Sequence, residues 1–155
     1  MNKVSLLLVL IAGMLFSCSP GQKDKVNQED KPIETPITGQ QEEVIIPSDS
    51  GLVKLNIADG KGTVQIRKKE SQTIYIEFPV EGYKRLSARL SSSDSTANVR
   101  FSQIFMPDGK MDGPWGINME YDLPMDGTYK LSVHENMMAG DPWSGIFKVE
   151  VDLAK

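Results

Sequence analysis

From Val44 onward, apolar and polar residues alternate in short runs separated by clusters of turn formers. Val53, Leu55 and Ile57 alternate in LVKLNI, Val64 and Ile66 in GTVQIRK, and Ile74, Ile76 and Phe78 in TIYIEF. Leu86, Ala88 and Leu90 continue the series, then Val99 and Phe101 with Phe105 on the same parity. Ile117, Met119, Tyr121 and Leu123 make the next run, Tyr129, Leu131 and Val133 another, and Phe147, Val149, Val151 and Leu153 the last. Successive strand side chains point to opposite faces, so each run predicts a strand with one face on a core and the other in water. ADGKG, VEGY, SSSDS, MPDGKMDGPWG and PMDG supply the turns between them. No stretch carries a helical period. Eight or nine strands spaced roughly ten residues apart predict an all-β fold, an antiparallel, jelly-roll-like β-sandwich over residues 44–155.

The chain ahead of Val44 reads differently. Val4 to Phe16 is an almost unbroken apolar run behind Lys3. It is too short to span about 30 Å of hydrocarbon, which takes roughly 20 residues, and so predicts the h-region of a signal peptide. It runs into Leu15-Phe16-Ser17-Cys18, which resembles the lipobox of bacterial lipoproteins, with Phe16 bulkier than the usual occupant. That resemblance implies a signal peptide over residues 1–17, cleavage before Cys18, and palmitate-type acyl chains on its thiol. Cys18 is the single cysteine, so no internal disulfide competes for it. Acyl chains anchor by burying methylenes in the bilayer. Ser19 is not the aspartate of the usual inner-membrane retention cue, which implies an outer-membrane location, on its periplasmic face or at the surface. The rest of residues 18–43 lacks aromatics and is rich in Pro, Gln, Glu, Lys and Asp, which predicts a disordered tether.

Charge narrows the partners. The chain has 17 Lys and Arg against 21 Asp and Glu, a net charge of −4, and removing residues 1–17 takes away Lys3 and no acid. An acidic chain is poorly suited to nucleic acid or anionic lipid surfaces. The membrane is therefore expected as a partner only through the lipid on Cys18, leaving a protein or a glycan to be bound.

Catalytic chemistry finds little to work with. His134 is the only histidine, and it lies on the polar parity of the strand carrying Tyr129, Leu131 and Val133. No serine sits in a G-x-S-x-G elbow to pair with it. Zinc needs several Cys or His ligands, and Asp108, Asp112, Asp122 and Asp126 lack the spacing of an EF-hand. No metal, no cofactor and no enzymatic activity are expected. Tryptophans in turn-rich segments remain: Trp115 in GPWG and Trp143 in DPWSG. Such rings either offer a broad surface to a protein or sugar, or fold down as lids on the core. Trp143 belongs to HENMMAGDPWSG (residues 134–145), read as a long turn at one end of the sandwich. The candidate binding residues are Trp115, His134, Glu135, Asn136, Asp141 and Trp143.

The segment from Ala88 to Leu153 is similar to bacterial pre-peptidase C-terminal domains and to the inhibitors of goose-type lysozyme. The matching pieces are Pro107-Asp108-Gly109, Leu123-Pro124 before Gly127-Thr128-Tyr129, Asn136 after the tyrosine strand, and Phe147, Val149 and Val151. The resemblance implies a small jelly-roll-like sandwich and a non-catalytic, inhibitor-like role toward a protein partner in the cell envelope. The chain departs from those inhibitors at residues 134–145, where their loop tends to be basic and this one has no Lys or Arg. The alternative is a glycan- or peptidoglycan-binding module using the loop tryptophans.

Overall fold

The computed structural model describes residues 43–155; the expected signal peptide, Cys18 and all but the last residue of the expected tether lie outside the described residues. Among the described residues ten strands form: β1 (Val44–Ile45), β2 (Leu52–Lys54), β3 (Lys61–Lys68), β4 (Ile74–Val80), β5 (Arg85–Ser91), β6 (Val99–Phe105), β7 (Met111–Asp112), β8 (Asn118–Asp122), β9 (Gly127–Glu135) and β10 (Gly145–Ala154). They make two five-stranded sheets, ordered β1-β3-β10-β5-β8 and β2-β4-β9-β6-β7. The all-β sandwich expected from the alternation is the fold observed. Two details differ. The additional strands, β1 and β7, are two residues each and too short to show a period. The sheets are also mixed, because β1 runs parallel to β3 and β2 parallel to β4. Alternation reports which face a residue occupies and carries no information about the direction of the neighbouring strand.

The inward rows build the core. Val64 and Ile66 of β3, Leu86, Ala88 and Leu90 of β5, and Phe147, Val149, Val151 and Leu153 of β10 come from one sheet. Ile74, Ile76, Phe78 and Val80 of β4, with Tyr129, Leu131 and Val133 of β9, come from the other. Each fully buried Val, Leu, Ile or Phe is worth about 1.5–3 kcal/mol of transfer free energy, so these rows carry the fold.

One break in the alternation moves a predicted core residue. In the β6–β9 ladder Phe101 faces Val133 and Gln103 faces Ser132, leaving Ser102 as the extra residue of a bulge. The Gln103 N–H there donates to the Ser132 hydroxyl at 3.0 Å. Beyond the bulge the parity reverses, so Ile104 is fully buried and Phe105 turns to the outer face. The strand leading to β8 is shortened as well: Ile117 lies outside it and is exposed.

Candidate functional site

The segment singled out in the sequence begins inside β9, which runs to Glu135. Tyr129, Leu131 and Val133 face the core, so the next residue of that parity, Glu135, faces inward too. On β3 the same logic carries Val64 and Ile66 on to Lys68. The two side chains meet at the end of the core, both with no exposed surface, and form an ion pair. Lys68 Nζ donates to Glu135 Oε1, to the Lys69 carbonyl at 2.8 Å and to the Trp143 carbonyl at 3.3 Å. Glu135 Oε1 also accepts from the Ser71 N–H at 2.8 Å and the Trp143 N–H at 3.4 Å. Burial pushes the Glu135 carboxyl up, but the Lys68 hydrogen bond and the backbone amides of Glu135 and Ser71 outweigh it and hold it below the usual glutamate value. Ser71 stands at φ 56°, a left-handed conformation that costs a non-glycine residue roughly 1–2 kcal/mol. The carboxylate secures that turn.

Further along, the loop is held twice more. The Asn98 side-chain amide donates to the carbonyls of Asn136 (3.2 Å) and Asp141 (3.0 Å), closing the loop at its waist. Trp143 is 6% exposed, and its indole N–H donates to Asp94 Oδ2 at 2.9 Å. Asp94 is held below the ordinary aspartate value by the Thr96 hydroxyl first, then by this indole and the Thr96 amide. The ring lies so close to Gly145 that a Cβ there would stand 2.2 Å from Trp143 Cζ2. Only a glycine leaves room for the tryptophan to fold in.

The six candidate residues therefore separate by role. Glu135 and Trp143 are buried and brace the loop, which for Trp143 is the lid arrangement that the sequence left open beside a surface role. Inward parity explains the first, and the space over Gly145 explains the second. Trp115 is half-buried, packed edge-on against Tyr121 at 5.9 Å, with its backbone N–H on the Phe101 carbonyl at 3.0 Å. Both tryptophans pack against the core, Trp143 buried within it and Trp115 partly buried at its edge. His134 is partly exposed, with Nδ1 2.9 Å from the Glu135 carbonyl and Nε2 3.5 Å from Glu135 Oε2. Asn136 is half-buried at the waist, and its carbonyl accepts from the Ala139 N–H at 2.8 Å. Asp141 is exposed. Facing outward at the tip are Met137, 54% exposed, and Met138, 97% exposed.

Sequence reasoning missed Lys68, Asp94, Asn98 and Gly145. For Lys68 the signal was available: it continues the inward parity of Val64 and Ile66. Chemically, the arrangement is a braced loop with an apolar tip. Glu135 is engaged in bracing while the Asp141 side chain is exposed, and among the described residues no three of His, Cys, Asp and Glu converge on a metal position.

No protein-family model matches the sequence, and no curated protein matches it. Solved structures to which this chain is similar include three lysozyme inhibitors. Aeromonas hydrophila PliG, a periplasmic lysozyme inhibitor of g-type lysozyme, aligns at TM-score 0.50 and 16% identity, covering 72% of this chain and 99% of that one. A mutant of the Escherichia coli PliG aligns at 0.46 and 12% identity over 66% of this chain and 96% of that one. The Salmonella Typhimurium PliG aligns at 0.43 and 16% identity over 66% and 97%.

Proposed function

We propose that this chain is a non-catalytic, protein-binding module of the bacterial cell envelope, inhibitor-like in its mode of action. In this reading it is held at the outer membrane by lipid on Cys18, with residues 18–43 as its tether. The observation that carries the reading is the state of the loop from His134 to Gly145. Its acid and its tryptophan are spent on holding the backbone, while Met137 and Met138 face solvent at a braced tip. A preorganised apolar projection loses little entropy on docking, and methionine is enriched at protein interfaces. The sandwich shared with the Aeromonas hydrophila inhibitor supports the same class of role, a fold that acts by occupying a partner.

The test is a lysis assay. The purified chain is titrated into g-type lysozyme acting on suspended bacterial cells, with complex formation followed by size-exclusion chromatography. The expected result is a concentration-dependent loss of lysis together with a co-eluting complex. Unchanged lysis at tenfold molar excess would remove this lysozyme as the partner. Failure to cross-link to any envelope protein in intact cells would overturn the protein-binding reading itself.

A further inference from the structure

Apart from Met1 and Met14, the chain's eight methionines lie among the described residues, and they divide by what surrounds the sulfur. Met119 is buried in the core. Met106 is half-buried, and its Sδ accepts from the Tyr121 hydroxyl at 3.4 Å. Met111 is exposed, but its Sδ accepts from the Gln103 side-chain amide at 3.3 Å. Met125 is half-buried beside Tyr129, whose hydroxyl donates to its carbonyl at 2.9 Å. Met137 and Met138 differ from all of these. They are adjacent and face solvent, and no hydrogen bond among the described residues reaches either sulfur; the Met138 N–H alone donates, to Asn136 Oδ1 at 3.4 Å. The backbone around them is closed. Asn98 ties the carbonyls of Asn136 and Asp141, which leaves Met137, Met138, Ala139 and Gly140 as the span between the two ties. A span that short has no core to fold into, so both thioethers stay in water.

We propose that Met137 and Met138 are an oxidation site, at which peroxide-class oxidants turn the apolar tip polar and release its protein partner. The inference rests on the protein-binding reading for its consequence and supplies the regulation of that site. The thioether lone pair attacks one peroxide oxygen, and the S–O bond forms as the O–O bond breaks. The departing hydroxide takes the proton from the transferred oxygen and leaves as water. Sulfur loses two electrons and the peroxide gains them. Two thiols of a sulfoxide reductase reverse the step, closing to a disulfide while the oxygen leaves as water. A sulfoxide is polar and accepts hydrogen bonds, so an apolar pocket that took the thioethers no longer satisfies them. The fold does not register the change, because the braces at Glu135, Asn98 and Trp143 involve neither methionine side chain.

The experiment treats the purified full chain with hydrogen peroxide and follows sulfoxide by tryptic peptide mapping. Cleavage after Arg100, Lys110, Lys130 and Lys148 puts Met106, the group Met111, Met119 and Met125, and the tip pair on three different peptides. Met138 reacts first and Met137 next, both about fivefold or more ahead of Met106 and Met119, with Met111 between; unfolding in urea abolishes the order. The oxidised chain keeps its far-UV circular dichroism and urea midpoint but elutes earlier in hydrophobic-interaction chromatography. In Met137→Leu with Met138→Leu, peroxide leaves the elution unchanged. Tip sulfurs that react no faster than Met106, or a wild-type elution that peroxide does not move, overturns the proposal. Binding to g-type lysozyme reads the consequence. Peroxide weakens the wild type at least tenfold, sulfoxide reductase with a thiol restores it, and the leucine pair binds equally before and after treatment. Equal wild-type binding before and after overturns the release. No binding by the untreated wild type counts against that partner, while the peptide map and the elution still judge the site.

Discussion

Replacing Glu135 by alanine is the sharpest perturbation the fold offers. It leaves the Lys68 ammonium in a site with no exposed surface, with only the Lys69 and Trp143 carbonyls for company. It also strips the acceptor from the Ser71 and Trp143 amides. Removing one partner of a buried pair costs about 3–5 kcal/mol, out of the 5–15 kcal/mol by which a domain is typically stable. With a urea slope of about 2 kcal/mol per molar, the midpoint should fall by about 2 M at unchanged slope. Lys68→Met should cost less, because the carboxylate keeps its amide donors. Lys68→Met combined with Glu135→Leu should cost clearly less than the sum of the singles, since no charge is then stranded. Equilibrium urea unfolding at pH 7, followed by tryptophan fluorescence and circular dichroism together, measures all of these. A loss below about 1 kcal/mol for Glu135→Ala, or additive singles, would refute the claim that the pair holds this end of the sandwich.

Other outcomes follow from the same geometry. Because the Glu135 carboxyl sits below its ordinary value, the unfolded chain binds its proton first on acidification. The Glu135 contribution should be complete above about pH 5 and fade as pH drops below about 4, a step that Glu135→Gln removes from the stability profile. Gly145→Ala should expel the Trp143 ring and cost about 1–3 kcal/mol, with the emission of Trp143 shifting toward that of a wet indole in the folded protein. Ser132→Ala should cost about 1–2 kcal/mol through the lost acceptor for Gln103 at the bulge, read from thermal unfolding. Cys18→Ala should shift the protein out of the detergent phase and abolish an acyl mass increment, while the unfolding midpoint of the sandwich stays put.

Much of this fold was legible in the period of two, because the apolar face of each strand is dictated by burial. What the period does not encode is what the sequence reading missed. It is silent on strand direction, hence the parallel β1–β3 and β2–β4 pairs. It cannot foresee an inserted residue, so Ser102 exchanges the roles of Ile104 and Phe105. Lys68 and Glu135 were within reach of the parity argument, since each extends a buried row by one place. Charges at strand ends ordinarily mark the exit to solvent, and only the meeting of two rows from opposite sheets turns these two into a buried pair. Trp143 was open between surface and lid on sequence alone. The choice depends on Gly145 and Asp94, one two residues away and the other 49 residues away, which only the folded chain brings to the same ring.

The central claim is that a braced loop presents an apolar tip to a protein partner, and binding to that partner tests it most directly. Calorimetric titration into g-type lysozyme, or into an envelope protein recovered by cross-linking, compares the wild type with Met137→Ser/Met138→Ser. The variant touches no brace, so its unfolding midpoint should match the wild type within about 0.5 kcal/mol. The account predicts a single-site complex for the wild type and at least tenfold weaker binding for the variant. Equal affinities of the two chains for the partner would contradict it.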